Sequence, residues 1–576
     1  MDSHAAVVRL TGTAPGTDLA IAVHDRAGIG LARRHEGTTE HFVVDGDEIH
    51  DLVADIEARI APRWIWWDRS TTDFFARHGL RIARCWDVTV TQQLLVGGPR
   101  RSPAHVWADL HGLPTTALPE PGQLDLGQLD LGQLDDGRVT VDGAVHDDLP
   151  VRPDGHLDPD RFDHPAHLAA RASLALRAAA LQRDLVDRSP SPGRILSAAH
   201  AESACELLCA ELGVTGLPID EPTARELVTE RIGPRPTDQA HERRLRDERD
   251  ARVLDLVAPS PRFDLRNPSD VRSMLNWVGL DLPDTRMWRL EEHRDHHPVV
   301  AALLDWRGAE RIATTFGHRW LDEHVVAGRL HGQWASSDGA AGRMTATAGL
   351  HNMPAELRPA VYAGVDHRFV RADLGQVEPR VLAAVSGDRA LVAATASDDL
   401  YLPIAERLGV DRPTAKLAVL GAMYGATTGN SAGALRALAE NFPTAVGYLE
   451  RAAEIGRTGG RLATVGGRRI GLRPPADRSG AAAQGRFARN AVVQGAAAEF
   501  FKVWAAIVRA RCRASDARIV LCLHDELILH VPTEGAEPAM TVVIDSLDEA
   551  AHRWSPHAGV RFVADIGIAE RWSDFE

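Results

Sequence analysis

The sequence predicts an α/β domain followed by a mixed α+β region, on three observations. Residues 1 to about 117 alternate short apolar strand runs with an amphipathic helix. From Ile195 to His324 helical periodicity takes over. After Arg329 strand and turn signals return, and a second alternation follows between Ile519 and Val531. At 576 residues the chain is too long for one core, and roughly 150 residues per domain suggests three or four units.

In order along the chain, strand runs are expected at Ala5–Leu10, Leu19–His24 and His41–Val44, with a helix near Asp47–Ile60. Gly122-Gln123-Leu124-Asp125-Leu126 then recurs from Gly127 and from Gly132. Three five-residue units are too few for a solenoid, so residues 119–163, dense in Asp, Gly and Pro, read as an acidic surface insertion. A helix is expected over His164–Val186. Ser189-Pro190-Ser191-Pro192-Gly193 is the best linker in the chain. Ile195–Leu212 has helical periodicity, and Gly213–Asp220 turns into another helix. A helix begins near Asn267, with Ser269 or Asp270 able to cap it, and Val299–His324 reads as one long helix. Phe369–Ala372 is a strand. Ile519–Leu523 and Leu527–Val531 form a hairpin with His524, Asp525 and Glu526 at its tip.

Composition excludes little. Hydrophobic content of 44% and charge of 25% are ordinary for a soluble globular chain. No apolar run approaches the ~20 residues that span a membrane. Met1-Asp2-Ser3-His4 offers neither a basic start nor an apolar signal core, which argues against export and for the cytoplasm. Cys85, Cys205, Cys209, Cys512 and Cys522 have no zinc spacing and read as reduced, buried thiols. The net charge of −15 argues at first against nucleic acid, but its distribution reverses that. Residues 401–520 carry 18 Arg/Lys against 8 Asp/Glu, a net of +10, whereas residues 1–190 carry 19 against 29, a net of −10. A local phosphate-binding surface in the C-terminal half is compatible with that asymmetry.

One stretch stands out. Asp411 can cap a helix that starts with Pro413 in its first turn and ends at Gly425. Arg412, Lys416, Leu420 and Tyr424 recur every four residues and share its face. Of 65 basic residues only Lys416 and Lys502 are lysines. A solvated face with a chance lysine is the plain alternative. Asp373, after the Phe369–Ala372 strand, and Asp525, on the late hairpin, place carboxylates at two strand ends. Each alone is more often a turn or cap; together they supply the hard oxygens that a pair of Mg²⁺ ions requires.

Here the residues carry a resemblance. Val370-Arg371-Ala372-Asp373-Leu374-Gly375-Gln376-Val377-Glu378-Pro379-Arg380 resembles motif A of the family A DNA polymerases. The spacing of Arg412, Lys416, Leu420, Tyr424 and Gly425 resembles motif B, and Leu523-His524-Asp525-Glu526-Leu527 resembles motif C. Arg486, Asn490 and Gln494, four apart, resemble the palm helix along the primer–template minor groove. Gly342-Arg343-Met344-Thr345 and Asn352-Met353-Pro354 resemble the segment upstream. All five occur in the family's order over roughly residues 195 to 576.

The resemblance implies an RNase H-like, exonuclease-type domain over 1–188, followed over 191–576 by a right-hand polymerase domain. The thumb would occupy about 191–330, the palm about 331–385 and 495–576, and the fingers about 386–494. Asp373, Asp525 and the Leu374 carbonyl would hold two Mg²⁺ ions. Arg412 and Lys416 would hold the triphosphate, Lys416 donating a proton to departing pyrophosphate, which a guanidinium does poorly. Gln376, Glu378, Leu420, Tyr424 and His524 would surround the nucleotide, Glu378 filling the volume a ribose 2′-OH needs. Arg343, Arg380, Arg486, Asn490, Gln494 and Glu526 would contact DNA, the minor-groove donors reading acceptors present on every base pair. The partners implied are primer–template DNA and deoxynucleoside triphosphates, with no membrane; the protein would be a monomer working on the nucleoid in repair or replication.

Departures from the family pattern mark peculiarities. Leu420 stands where an aromatic is usual, Leu374 where motif A has tyrosine, and His351 where glutamine is usual. Phe74–Leu80 and Trp86–Leu95 resemble the proofreading exonuclease, but the first strand lacks an Asp-x-Glu pair. His167-x-x-x-Arg171 stands where Tyr-x-x-x-Asp is required. Asp87 therefore reads as structural, the exonuclease as vestigial, and no 5′-nuclease domain is expected. A polymerase accepting ribonucleotides or RNA templates, a catalytically weak primer–template-binding protein and a metal-dependent hydrolase are the alternatives. The last leaves Lys416 unexplained.

Overall fold

A computed structural model describes residue 10 and residues 13–24, 27–44, 49–99, 101–118, 150–257, 262–338, 341–425, 432–523, 525–556 and 559–575. Most of the acidic repeat segment, the Ala5–Leu10 run except Leu10, and His524 lie outside the described residues. The chain divides into two compact units. One comprises residues 1–214, 334–345 and 370–568, the other residues 215–333, 346–369 and 569–576. The division therefore falls after Val214, not at the linker near 189–193, where only a short turn joins two long helices.

The first unit opens with β1 (Asp18–His24), β2 (Gly28–His35), β3 (Thr38–Val44), β4 (Arg63–Trp66) and β5 (Arg84–Asp87), in sheet order β3-β2-β1-β4-β5. The first three are antiparallel neighbours, while β4 and β5 run parallel to β1. This is the α/β domain read from the alternation, with three strands that the sequence reading passed over. β2 mixes glycine and arginine with few β-branched residues, and β4 and β5 are four-residue strands too short for a period to emerge. Helix α1 (Leu168–Asp187) lies across β1 and β2, and α2 (Pro192–Thr215) follows it. Cys205 and Cys209 are buried on α2, and all five cysteines are free.

The second unit is mainly helical, with Gln239–Leu254, Pro268–Trp277 and Pro298–Thr315 packed around Val253, Met274, Leu275, Val299 and Leu303, and Glu221–Ile232 against Pro298–Thr315. Asn267 itself caps its helix, its side-chain oxygen accepting the Ser269 N–H at 3.0 Å, while Asp270 accepts from Asp264 N–H at 3.1 Å. The expected Val299–His324 helix is broken in two. Gly317 adopts extended backbone and starts a fresh helix, His318–His324, while the buried Phe316 ring packs edge-on against Trp320.

The remaining elements of the first unit build a second sheet from β6 (His367–Leu374), β7 (Arg518–Leu523), β8 (Glu526–Pro532) and β9 (Ala564–Ala569), in order β7-β8-β6-β9. Around it lie α3 (Val377–Ser386), α4 (Arg412–Tyr424), α5 (Arg478–Arg511) and α6 (Ala536–Trp554). Against the expectation that no apolar run is long enough to span a membrane, the 34-residue α5 contains one by length and composition, but 83% of that window is buried inside the protein, as in a core helix.

Candidate active site

The site begins with two strand ends. β7 and β8 form the expected hairpin, Leu523 pairing with Glu526, so Asp525 sits at the tip. The Leu374 N–H donates to the Asp525 carbonyl at 2.9 Å, which joins the tip to the end of β6 and brings Asp373 beside Asp525. Burial pushes both carboxyls up. For Asp525 the neighbouring Asp373 adds to it and the value reaches about 6, while for Asp373 the Arg371 guanidinium opposes the rise. Arg371 donates to Asp373 Oδ2 at 2.8 Å and to Glu526 Oε1 at 2.5 Å.

Among the described residues no three His, Cys, Asp or Glu side chains converge as a metal cage. Asp373 and Asp525, the first raising the proton affinity of the second, are nevertheless a hard-oxygen donor set. That fits Mg²⁺, which binds through one or two carboxylates and takes its other oxygens from water and substrate phosphates.

A cleft of roughly 170 Å³ opens beside Asp525, lined also by Arg343, Gln376, Glu378, Tyr401, Leu420 and Gln494. α4 reaches it with only the C-terminal half of the face read from the sequence. Asp411 caps the helix, accepting the Thr414 N–H at 2.9 Å, and Gly425 closes it at φ 74°. Ala415, Ala418, Val419, Ala422 and Met423 bury the opposite face. Leu420 lines the cleft, and Tyr424 donates its hydroxyl to Glu378 Oε2 at 3.1 Å. Lys416 and Arg412 do not line it. Lys416 is exposed with no partner among the described residues, and Arg412 pairs with Asp399 at 2.5 Å.

Glu378 is held from two sides. Arg343 donates to its Oε1 at 2.5 Å opposite the Tyr424 contact, and Tyr424 bonds in turn with the Gln494 side chain. Arg343, Glu378, Tyr424 and Gln494 thus form one chain of hydrogen bonds along the cleft. Asn490 and the exposed Arg486 continue the same face of α5. Gly342 places Arg343: at φ 83° it runs against Arg468, and a Cβ there would lie 2.2 Å from Arg468 Nε. Gln376 takes the left-handed conformation, φ 49°, and its side-chain oxygen accepts the Leu400 N–H at 3.2 Å.

Arg380 corrects an expectation. It is fully buried, and its guanidinium donates to the carbonyls of Gly375, Thr395, Ser397, Asp398 and Arg561. Burial lowers its pKa to about 10. It offers no donor to DNA, because backbone acceptors already occupy its fork. Tyr401 and Arg371 were not foreseen at the site. Arg371 had a signal, standing two residues before Asp373 on one strand and so on the same face.

In the N-terminal domain the carboxylates are engaged structurally. Asp87 is buried and accepts Trp66 Nε1–H, Thr89 Oγ1–H and the Val90 N–H at 2.9, 3.0 and 2.9 Å, capping the next helix as its structural reading requires. Asp18 pairs with Arg183, and Asp68 caps the helix that follows it. Arg171, in the place of a motif carboxylate, lies over the Phe162 ring at 4.7 Å.

Comparison with known proteins gives concordant findings. Residues 281–574 match the sequence model of DNA polymerase family A. DNA polymerase I of Chloroflexus aurantiacus is 33% identical over 290 residues, which cover 44% of this chain and 31% of that protein. The thermostable DNA polymerase I of Thermus filiformis is 29% identical over 323 residues, covering 50% and 38%. The chain thus spans about a third of the length of these relatives. Among solved structures, the POL domain of Pol1 from M. smegmatis, in complex with DNA primer-template and dNTP, aligns with TM-score 0.67 at 19% identity. The match covers 99% of this chain and 98% of that one. At that identity the likeness speaks for the fold.

Proposed function

The chain belongs to DNA polymerase family A, and from that premise we propose that it is a template-directed DNA polymerase, extending a DNA primer with deoxynucleotides. The observation that carries this reading is the junction of Asp373 and Asp525 through the Leu374–Asp525 hydrogen bond, at the mouth of a cleft walled by Glu378, Leu420 and Gln494. The solved neighbour's primer-template DNA and dNTP are the partners this reading assigns.

Asp373, Asp525 and the Leu374 carbonyl would hold two Mg²⁺ ions, which when bound activate the primer oxygen and neutralise charge on the phosphates. Arg412 and Lys416 orient the triphosphate, and Lys416 is the proton donor to pyrophosphate. Glu378, fixed by Arg343 and Tyr424, occupies the space beside the sugar. Gln376 and His524 complete the nucleotide's surroundings. Arg343, Arg486, Asn490 and Gln494 track the minor groove, and Glu526 faces the primer side. In this reading residues 386–494 are fingers, residues 331–385 and 495–576 palm, and the helices before them thumb. The protein acts as a monomer on nucleoid DNA in the cytoplasm, in repair or replication, and its exonuclease activity is lost.

The test is primer extension by purified protein with Mg²⁺, beside an Asp525→Ala control. Template-directed extension that the control lacks is expected. No extension, with the control indistinguishable, would sink the reading.

A further inference from the structure

We propose that Arg371 is a positioning residue for the metal-binding aspartates: in the metal-free enzyme its guanidinium ties Asp373 to Glu526, and it lets go of Asp373 as divalent ions bind. The proposal rests on the metal site of the polymerase reading.

Three strands meet at this side chain. Arg371 and Asp373 are two residues apart on β6 and so project from the same face of the sheet. Glu526 begins β8, the neighbour on one side, and Asp565 belongs to β9, the neighbour on the other. Arg371 Nη2 donates to Asp373 Oδ2 at 2.8 Å, Nε donates to Glu526 Oε1 at 2.5 Å, and Nη1 stands 3.9 Å from Asp565 Oδ2. The side chain is largely covered, at 16% exposure, while Asp565 is 86% exposed. One planar fork therefore spans three carboxylates on one sheet face, with Asp525 a fourth beside them.

That arrangement has two consequences. Without metal, a single cation offsets the mutual repulsion of Asp373 and Glu526 and fixes the Asp373 carboxylate in one orientation. With metal, the same cation opposes a second positive charge arriving at the same oxygen. Glu526 and the exposed Asp565 give the guanidinium partners to keep once Asp373 is taken, so its release strands no buried charge. A lysine would keep the charge but has no fork to bridge two carboxylates.

The test is Mn²⁺ binding to the full chain, without DNA or nucleotide, read from the electron paramagnetic resonance of the free ion. Arg371→Gln is expected to tighten binding about tenfold, the size of effect one adjacent cation has on a carboxylate. Arg371→Lys should stay within about twofold of the parent, since it keeps that cation. Unchanged or weaker binding in Arg371→Gln overturns the proposal, provided Asp525→Asn abolishes the binding. Binding that Asp525→Asn leaves intact overturns the metal assignment and this proposal with it. Should Arg371→Gln fail to fold, the parent protein decides. Modification of Arg371 by phenylglyoxal, followed by mass spectrometry, should be faster in saturating Mg²⁺ than in chelator; an equal or slower rate overturns the proposal.

Discussion

Glu378 shows what a single side chain contributes beyond its motif. Its carboxylate is gripped by Arg343 and Tyr424, so it cannot swing out of the cleft without breaking two hydrogen bonds, one of them charged on both sides. Glu378→Ala is therefore expected to raise ribonucleotide relative to deoxynucleotide insertion by roughly a hundredfold, a ~3 kcal/mol change in discrimination, measured as a ratio of kcat/KM values. Tyr424→Phe, which removes one grip, should move the ratio the same way by a smaller factor. At this scale the sequence was legible where chemistry restricts residue type. Hard-oxygen ligands would be carboxylates, so Asp373 and Asp525 stood out as candidates, and the Leu374–Asp525 hydrogen bond joins the strand ends that carry them. Arg380 was misplaced because an arginine that reads DNA and one that clamps five backbone carbonyls look identical in sequence. Only burial separates them, and burial is set by residues as distant as Arg561.

Some helices, α4 above all, were legible in existence and in face, less so in what they lean on. The four-residue spacing of α4 correctly put Leu420 and Tyr424 together at the cleft, because helical geometry is local. It said nothing of where Lys502, the chain's other lysine, would go. Lys502 is buried on α5 and donates to both oxygens of Glu202 on α2, at 2.7 Å each, while Arg468 pairs with the same carboxylate. Burial pushes the Glu202 carboxyl up, but Arg468 and Lys502 together outweigh it and hold it below the ordinary glutamate range. Glu202→Gln leaves two buried cations without their anion and should cost about 3–5 kcal/mol in urea unfolding. Glu499, one turn before Lys502, goes the other way. Burial pushes it from 4.5 to about 7, although it accepts hydrogen bonds from Thr464 and the Gly466 N–H. Between those two values the unfolded chain ionises while the fold keeps its proton, so stability falls as pH rises from about 4.5 to 7. Glu499→Gln should remove that fall, up to about 3 kcal/mol, and thermal melting of the two proteins at pH 5 and pH 7.5 would expose it.

For the molecule as a whole, the N-terminal domain raises the question of what its sheet contributes to the rest of the chain. The contacts suggest a foundation. Arg509 of α5 donates to the Ile82 carbonyl at 2.9 Å and pairs with Glu211, Arg81 donates to the carbonyls of Arg513 and Ser515, and Arg513 pairs with Glu57. Each bond crosses between the N-terminal domain or α2 and the end of α5. None was legible in the sequence, because partners up to 456 positions apart leave no local pattern. Residues 191–576 expressed alone would leave Arg509 without the Ile82 carbonyl and Arg513 without Glu57, would expose Ala198, Ala199 and Leu207 of α2, and should melt well below the full chain or fail to remain soluble. A domain retained as a foundation need not cut DNA. Proofreading needs carboxylates free to hold two metals, and here Asp87 is spent on Trp66, Thr89 and Val90, Asp18 on Arg183, and Asp68 on a helix cap. Incubated with a primer carrying a mismatched 3′ end, Mg²⁺ and no nucleotides, the protein should leave the primer at full length. Shortening that survives in Asp525→Ala would mean that some of these carboxylates leave their structural partners to bind metal.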